Sequence, residues 1–258
     1  MELNDETTWP TAVVEYLGQH YDLLLAWEML PEQGAQARDI VQALRMAAEY
    51  DQALTGLRPI LNSATLHGYH CTRLTDAEIA HVTAEGMQLP NRAMLCRRIN
   101  VLERNGLIEP ALAEQLKQKN QADELNRASM IWFCFYPPHL AGEYGIESLL
   151  RLWGGEALYN SHDRDALIGP ILRRIGTPCL IEADVPIASF PPHTFLEKHL
   201  YRQFLISRGL KTSEPVHHEN RATQPIPAQN IRRIIRYPEP DFIALTRCDT
   251  WREPPDSQ

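Results

Sequence analysis

The sequence predicts an α+β protein, and three observations carry that prediction. Residues 1–60 place apolar side chains at three- and four-residue steps, the helical period. From residue 61 that period gives way to short runs rich in Thr, Tyr, Ile, Phe and Cys, a strand-like composition. Helical stretches then return between those runs, several with a start or stop signal of their own. The chain has 258 residues, 44% hydrophobic and 22% charged. That is enough to bury a core without disulfide or metal staples, and it excludes disorder as the main state. The expected organisation is an N-terminal helical segment, residues 1–58, packed on a core formed by residues 59–258.

Each element follows from a local signal. Val14, Leu17, Tyr21, Leu24 and Leu25 mark a first amphipathic helix, broken by Pro31 and Gly34. Ile40, Leu44 and Ala47 or Ala48 line a second. A strand is expected over Thr65–Thr72. Thr75-Asp76-Ala77-Glu78 is a capping box, opening a helix with Ile79 and Val82 on its apolar side and Gly86 as terminator. Met94, Leu95, Ile99 and Leu102 form the stripe of another helix, stopped by Asn105-Gly106, and Pro110 opens the next. MIWFCFYPP, residues 130–138, reads as a buried strand. Ile146, Leu149, Leu150 and Trp153 suggest a short helix ended by Gly154-Gly155, after which Ala157–Asn160 could restart as a strand. Residues 178–188 form a further strand, and a helix is expected between Phe195 and Arg208. Two late strands, Pro215–Arg221 and Ile231–Tyr237, flank the proline-rich link QPIPAQN.

Charge and cysteine usage narrow the class. The formal charge is −8, and the first sixty residues hold three basic against ten acidic residues. A uniformly basic nucleic-acid coat is excluded, but the remainder of the chain is near neutral. Cysteines at 71, 96, 134, 179 and 248 are odd in number, widely spaced and without a CxxC pair, which points to reduced thiols. The acidic N-terminus lacks the apolar segment of a signal peptide, and no apolar run approaches the ~18 residues of a membrane span. A cytoplasmic protein with no membrane partner is expected. GxGxxG, GxxxxGK[ST], HExxH and GxSxG are all absent, so the Rossmann, P-loop, zinc-protease and serine-hydrolase readings lack a motif.

Three features suggest chemistry. His70 and Thr72 stand near the end of a strand, ahead of the capped helix, and bring an imidazole and a hydroxyl to a strand edge. Two glycines in WGGEALYN allow a sharp turn that presents Tyr159. Glu219 lies on a late strand, ahead of the proline-rich link. Arg73 and Arg127 are candidate phosphate partners, since the guanidinium fork suits phosphate.

Tyr69-His70-Cys71-Thr72, followed by Ile79 and Gly86, resembles the first motif of the ADP-ribosyltransferase superfamily, with Cys71 where the family has glycine. That superfamily includes the diphtheria-toxin-like and poly(ADP-ribose) polymerase enzymes, and this chain would be a divergent bacterial member of His-Tyr-Glu type. Leu66-His67-Gly68-Tyr69 is a second candidate that keeps the glycine but lacks the threonine. The resemblance implies a split antiparallel β core with inserted helices, and NAD as the substrate. It implies that His70 binds the adenosine-side ribose, Thr72 supports that turn and Tyr159 stacks on nicotinamide. Glu219 would stabilise the cationic sugar as nicotinamide leaves. The acceptor would be a nucleic acid or a protein, in a toxin or phage-defence effector. The alternatives are an NAD glycohydrolase, a tRNA phosphotransferase, or a non-catalytic nucleotide-binding or partner-docking module, with the N-terminal helices as the docking surface.

Overall fold

A computed structural model describes residues 1–29, 40–192, 195–212 and 216–255. Three helices open the chain: α1 (Thr11–Gln19), α2 (Tyr21–Glu28) and α3 (Ile40–Leu61). Then follow β1 (Thr65–Leu74), α4 (Asp76–Glu85), α5 (Arg92–Arg104), α6 (Pro110–Gln118) and β2 (Ile131–Cys134). Helices α7 (Glu143–Arg151), α8 (Glu156–His162) and α9 (Ile168–Arg174) lead to β3 (Thr177–Pro186). The chain ends with α10 (Leu196–Ser207), β4 (Glu219–Ala222), β5 (Ile231–Arg236) and α11 (Pro240–Thr246). The class is therefore α+β, as the sequence predicts. The five strands form one open sheet in the order β4-β2-β1-β3-β5, with every neighbouring pair antiparallel.

Three groups of apolar side chains hold this arrangement. The largest joins one face of the sheet (Leu66, Phe133, Ile181, Val185) to the N-terminal helices (Val13, Leu17, Leu24, Leu57) and to α10 (Leu200, Phe204). On the opposite face Cys71, Leu180 and Ile235 pack against Ile146 and Leu150 of α7 and Phe242 of α11. A third group, entirely between residues 95 and 175, is the core of a helical lobe: Leu95, Ile99 and Leu102 meet Trp153, Leu158 and Leu172.

The capping box forms as expected. Glu78 N–H donates to Thr75 Oγ1 at 3.3 Å while Thr75 N–H donates to the Glu78 carboxylate at 2.8 Å. Gly86 ends α4 at φ +78°, and a Cβ there would stand 2.1 Å from the Ile226 carbonyl oxygen, because residues 87 and 226 pair backbone to backbone. Gly86→Ala is therefore expected to cost about 2 kcal/mol or more, since both the dihedral and the close approach oppose a side chain. Gly18, on the exposed side of α1, has no neighbour within 4 Å, so Gly18→Ala is expected to stabilise by up to about 1 kcal/mol. Denaturant midpoints of the two variants should move in opposite directions.

Several expectations need correction. Ala157–Asn160 is helical, inside α8, not a strand. Gly154 (φ +90°) and Gly155 (φ +53°) turn the chain, and the Gly155 carbonyl then accepts from Leu158 and Tyr159, which starts a helix. The first helix divides at His20 into α1 and α2. The aromatic strand β2 has four residues and is half-exposed, with Trp132 facing solvent. The late strand β4 begins at Glu219; Pro215, like Pro31 and Gly34, lies outside the described residues. Helices α9 and α11 are additions to the expected elements. Among the described residues no helix is long and apolar enough to cross a membrane.

Candidate functional site

Strand β1 is the central strand, and its alternation assigns each candidate to a face. Tyr69 opposes Cys134 of β2, which opposes Glu219 of β4; on the other side Tyr69 opposes Glu182 of β3, which opposes Arg233 of β5. One cross-strand row therefore runs Glu219–Cys134–Tyr69–Glu182–Arg233 through all five strands. His70 belongs to the next row, with Ile181 on one side and Phe133 on the other, their rings 5.9 Å apart. Phe133 in turn opposes Asn220. His70 and Glu219, expected to converge, thus project from opposite faces of the sheet. Their separation follows from the pairing register of β1, β2 and β4.

On the His70 face, the half-buried imidazole donates from Nδ1 to the Trp132 carbonyl at 2.8 Å. A carbonyl can only accept, so Nδ1 carries the hydrogen and Nε2 of the neutral ring is left as an acceptor. Burial lowers the proton affinity of His70, the bond to Trp132 works against that, and the charge of Arg98 lowers it further; the net direction is down. Thr72, on the same face, is partly exposed, and its hydroxyl has no hydrogen-bond partner among the described residues. An imidazole acceptor beside a hydroxyl is suited to a ligand hydroxyl such as that of a ribose.

The same region holds a tie that the sequence reading missed. Besides its capping role, the Glu78 carboxylate accepts from Arg98 Nε of α5 at 2.6 Å and from Trp153 Nε1 at 3.0 Å. The Arg98 guanidinium also lies over the Trp153 ring, 4.6 Å from its centre. Burial pushes the Glu78 carboxyl up, but Arg98, Thr75 and Trp153 outweigh it and hold the group below its ordinary value. The WGG turn thus anchors the helical lobe to the capped start of α4.

On the Glu219 face the carboxylate is exposed and has no ion pair among the described residues. Trp132, 38% exposed, lies diagonally across from it, with the Arg221 guanidinium 5.2 Å from the indole centre. Cys71 and Cys134 are free thiols joined by a hydrogen bond. That bond, burial and the charge of Glu219 push the Cys71 thiol well up. Only a shallow surface depression lies here, lined by Cys134, Tyr136, Leu140, Ala141, His217 and Glu219. His67, the second histidine candidate, is also on this face but is already engaged. Arg232 Nη1 lies 2.9 Å from its Nδ1, Glu182 lies 3.2 Å from its Nε2, and burial followed by the Arg232 charge lowers its proton affinity.

The remaining candidates sit elsewhere. Arg73 is buried on the face opposite His70, three residues away on a two-residue period, and donates from Nε to the Ile175 carbonyl at 2.8 Å. Its Nη1 reaches the Leu150 and Pro255 carbonyls, so it joins β1 to the lobe rather than opening onto a cleft. Tyr159 and Arg127 come together in the lobe through Glu156, which accepts from Tyr159 at 3.3 Å and lies 3.4 Å from Arg127 Nε. Burial, followed by the Glu156 charge, raises the Tyr159 phenol. The structure thus groups His70 with Thr72 and Tyr159 with Arg127, and leaves Glu219 and Arg73 apart from both pairs. Among the described residues no three His, Cys, Asp or Glu side chains converge as a metal site. Comparisons with protein-family models, curated proteins and solved structures find no match.

Proposed function

We propose that this chain binds NAD on the His70 face of its sheet and transfers ADP-ribose to a macromolecular acceptor, with release of nicotinamide. One observation carries the reading: the Tyr-His-Cys-Thr stretch lies on the central strand, with His70 Nε2 left as an acceptor beside the unengaged Thr72 hydroxyl. The engagement of His67 by Arg232 and Glu182 supports His70 as the ribose-binding histidine of the two. Glu219, the carboxylate that the resemblance assigns to the charged sugar, projects from the other face of the sheet, so for a ligand on the His70 face that charge falls to another group.

A second reading is favoured by the sheet that stands between His70 and Glu219: a nucleotide-binding module of the same fold that does not cleave its ligand. The test incubates the full chain with NAD, with and without DNA, RNA or lysate protein, and follows nicotinamide release and NAD binding in parallel. His70→Ala is expected to weaken NAD binding about tenfold or more. Glu219→Gln, on the other face, is expected to leave both binding and release within about twofold of the wild type. NAD binding without release would favour the module; neither binding nor release would sink both readings. Release that falls about a hundredfold in Glu219→Gln would give the carboxylate's role to Glu219 and overturn the placement of NAD on the His70 face.

A further inference from the structure

We propose that Arg98 is the phosphate-binding residue of the His70 face, and that its ligand group is the pyrophosphate of a nucleotide. The inference rests on the nucleotide reading of that face. Both arginines that the sequence suggested for this task are committed elsewhere, Arg73 to three backbone carbonyls and Arg127 to Glu124 and Glu156.

Arg98 has the features the task requires. Its Nε is fixed by Glu78 and its plane lies over Trp153, so the guanidinium is oriented before any ligand arrives. Its Nη2 is buried with no hydrogen-bond partner among the described residues. A buried guanidinium nitrogen without an acceptor is costly to leave unmatched, and an anionic oxygen is the partner that matches it best. Its charge is also felt at His70, whose imidazole it helps to keep neutral. Arg236, also on that side of the sheet, is already paired with Asp76, whereas Glu78 engages only Nε of Arg98. A neutral acceptor for a ribose hydroxyl and a preoriented cation for phosphate are therefore close enough for the charge of one to act on the other.

The test titrates the full chain calorimetrically with NAD, ADP, adenosine and inorganic pyrophosphate. The wild type is expected to bind ADP more tightly than adenosine, with pyrophosphate competing for ADP. Arg98→Gln should lower ADP affinity about 10- to 100-fold, the loss of one or two charge-assisted hydrogen bonds, and leave adenosine affinity unchanged. Arg98→Lys keeps a charge beside Glu78 but loses the fork, and should lower the ADP-to-adenosine ratio by a smaller factor. It decides the matter if the glutamine variant does not fold. An unchanged ratio in a folded variant overturns the proposal, and so does a wild type that does not prefer ADP or that binds neither ADP nor pyrophosphate. Pyrophosphate binding that depends on Arg98, with no binding of NAD or adenosine, would uphold Arg98 and overturn the NAD reading instead.

Discussion

Removing residues 1–55 is expected to abolish cooperative folding. The first helices are part of the main core rather than a layer laid over it. Leu3, Trp9, Val13, Leu17, Leu24 and Tyr50 are buried in the same apolar group as Leu66, Phe133 and Ile181 of the sheet. Trp27 stacks on Tyr50 at 4.7 Å, Tyr50 lies 6.2 Å from Tyr201 of α10, and the His67 amide donates to the Met1 carbonyl. At about 1.5–3 kcal/mol for each buried large apolar side chain, six such residues contribute on the order of 10 kcal/mol or more. That is comparable with the whole net stability of a domain, roughly 5–15 kcal/mol. The truncated chain should show no calorimetric transition and no near-ultraviolet circular dichroism. A truncated chain that melts cooperatively would make this segment a true appendage, and retained nicotinamide release would place all the chemistry downstream of it.

The second large effect is loss of stability in acid, centred on His218. This ring is 4% exposed, 4.4 Å from the His199 ring and 5.8 Å from Phe135, and its Nε2 is buried without a hydrogen-bond partner among the described residues. Burial, with the charges of His199 and His217 adding to it, lowers its pKa from 6.5 to about 3. The folded state therefore keeps the ring neutral where the unfolded chain would already protonate it. Above pH 6.5 both states are neutral and nothing is lost; as pH falls from there toward 3 the unfolded state gains the proton alone and stability declines. The full shift corresponds to about 4–5 kcal/mol. Urea unfolding at pH 7, 5 and 4 should show a steep decline in the wild type and a shallower one in His218→Phe. Parallel curves for the two proteins would mean that other groups, not His218, govern the acid transition.

Much of the fold is legible in the sequence because its signals are local. The Thr75–Glu78 box, Gly86, the Leu95–Ile99–Leu102 stripe and the strand from Thr65 each depend on neighbours a few residues away. The helix that carries Tyr159 is not legible, because a run as short as Ala-Leu-Tyr-Asn after two glycines fits either period and the backbone bonds to Gly155 decide it. The candidate site is less legible. That His70 and Arg73 project oppositely follows from strand alternation and could have been read from their spacing. That Glu219 lies opposite His70 depends on how β4 pairs with β2, which strand composition does not encode. Arg98 carries no signal in its own neighbourhood, since its significance comes from Trp153 and Glu78, which meet it only in the folded chain.

The ladder between β1 and β3 begins at Leu74 opposite Thr177, and a Cβ on Gly176 would stand 2.4 Å from the Leu74 carbonyl oxygen. The two strands are thus a hairpin whose turn is residues 75–176. Closing a disordered loop of about a hundred residues costs several kcal/mol more than closing a tight turn. The helical group from Leu95 to Ile175 needs no partner outside that loop, so it can shorten the gap by condensing first. Arg73 and the Glu78–Trp153 tie bind the base of the lobe to the end of β1, so the lobe closes like a folded clasp at the point where the ladder of the two longest strands begins.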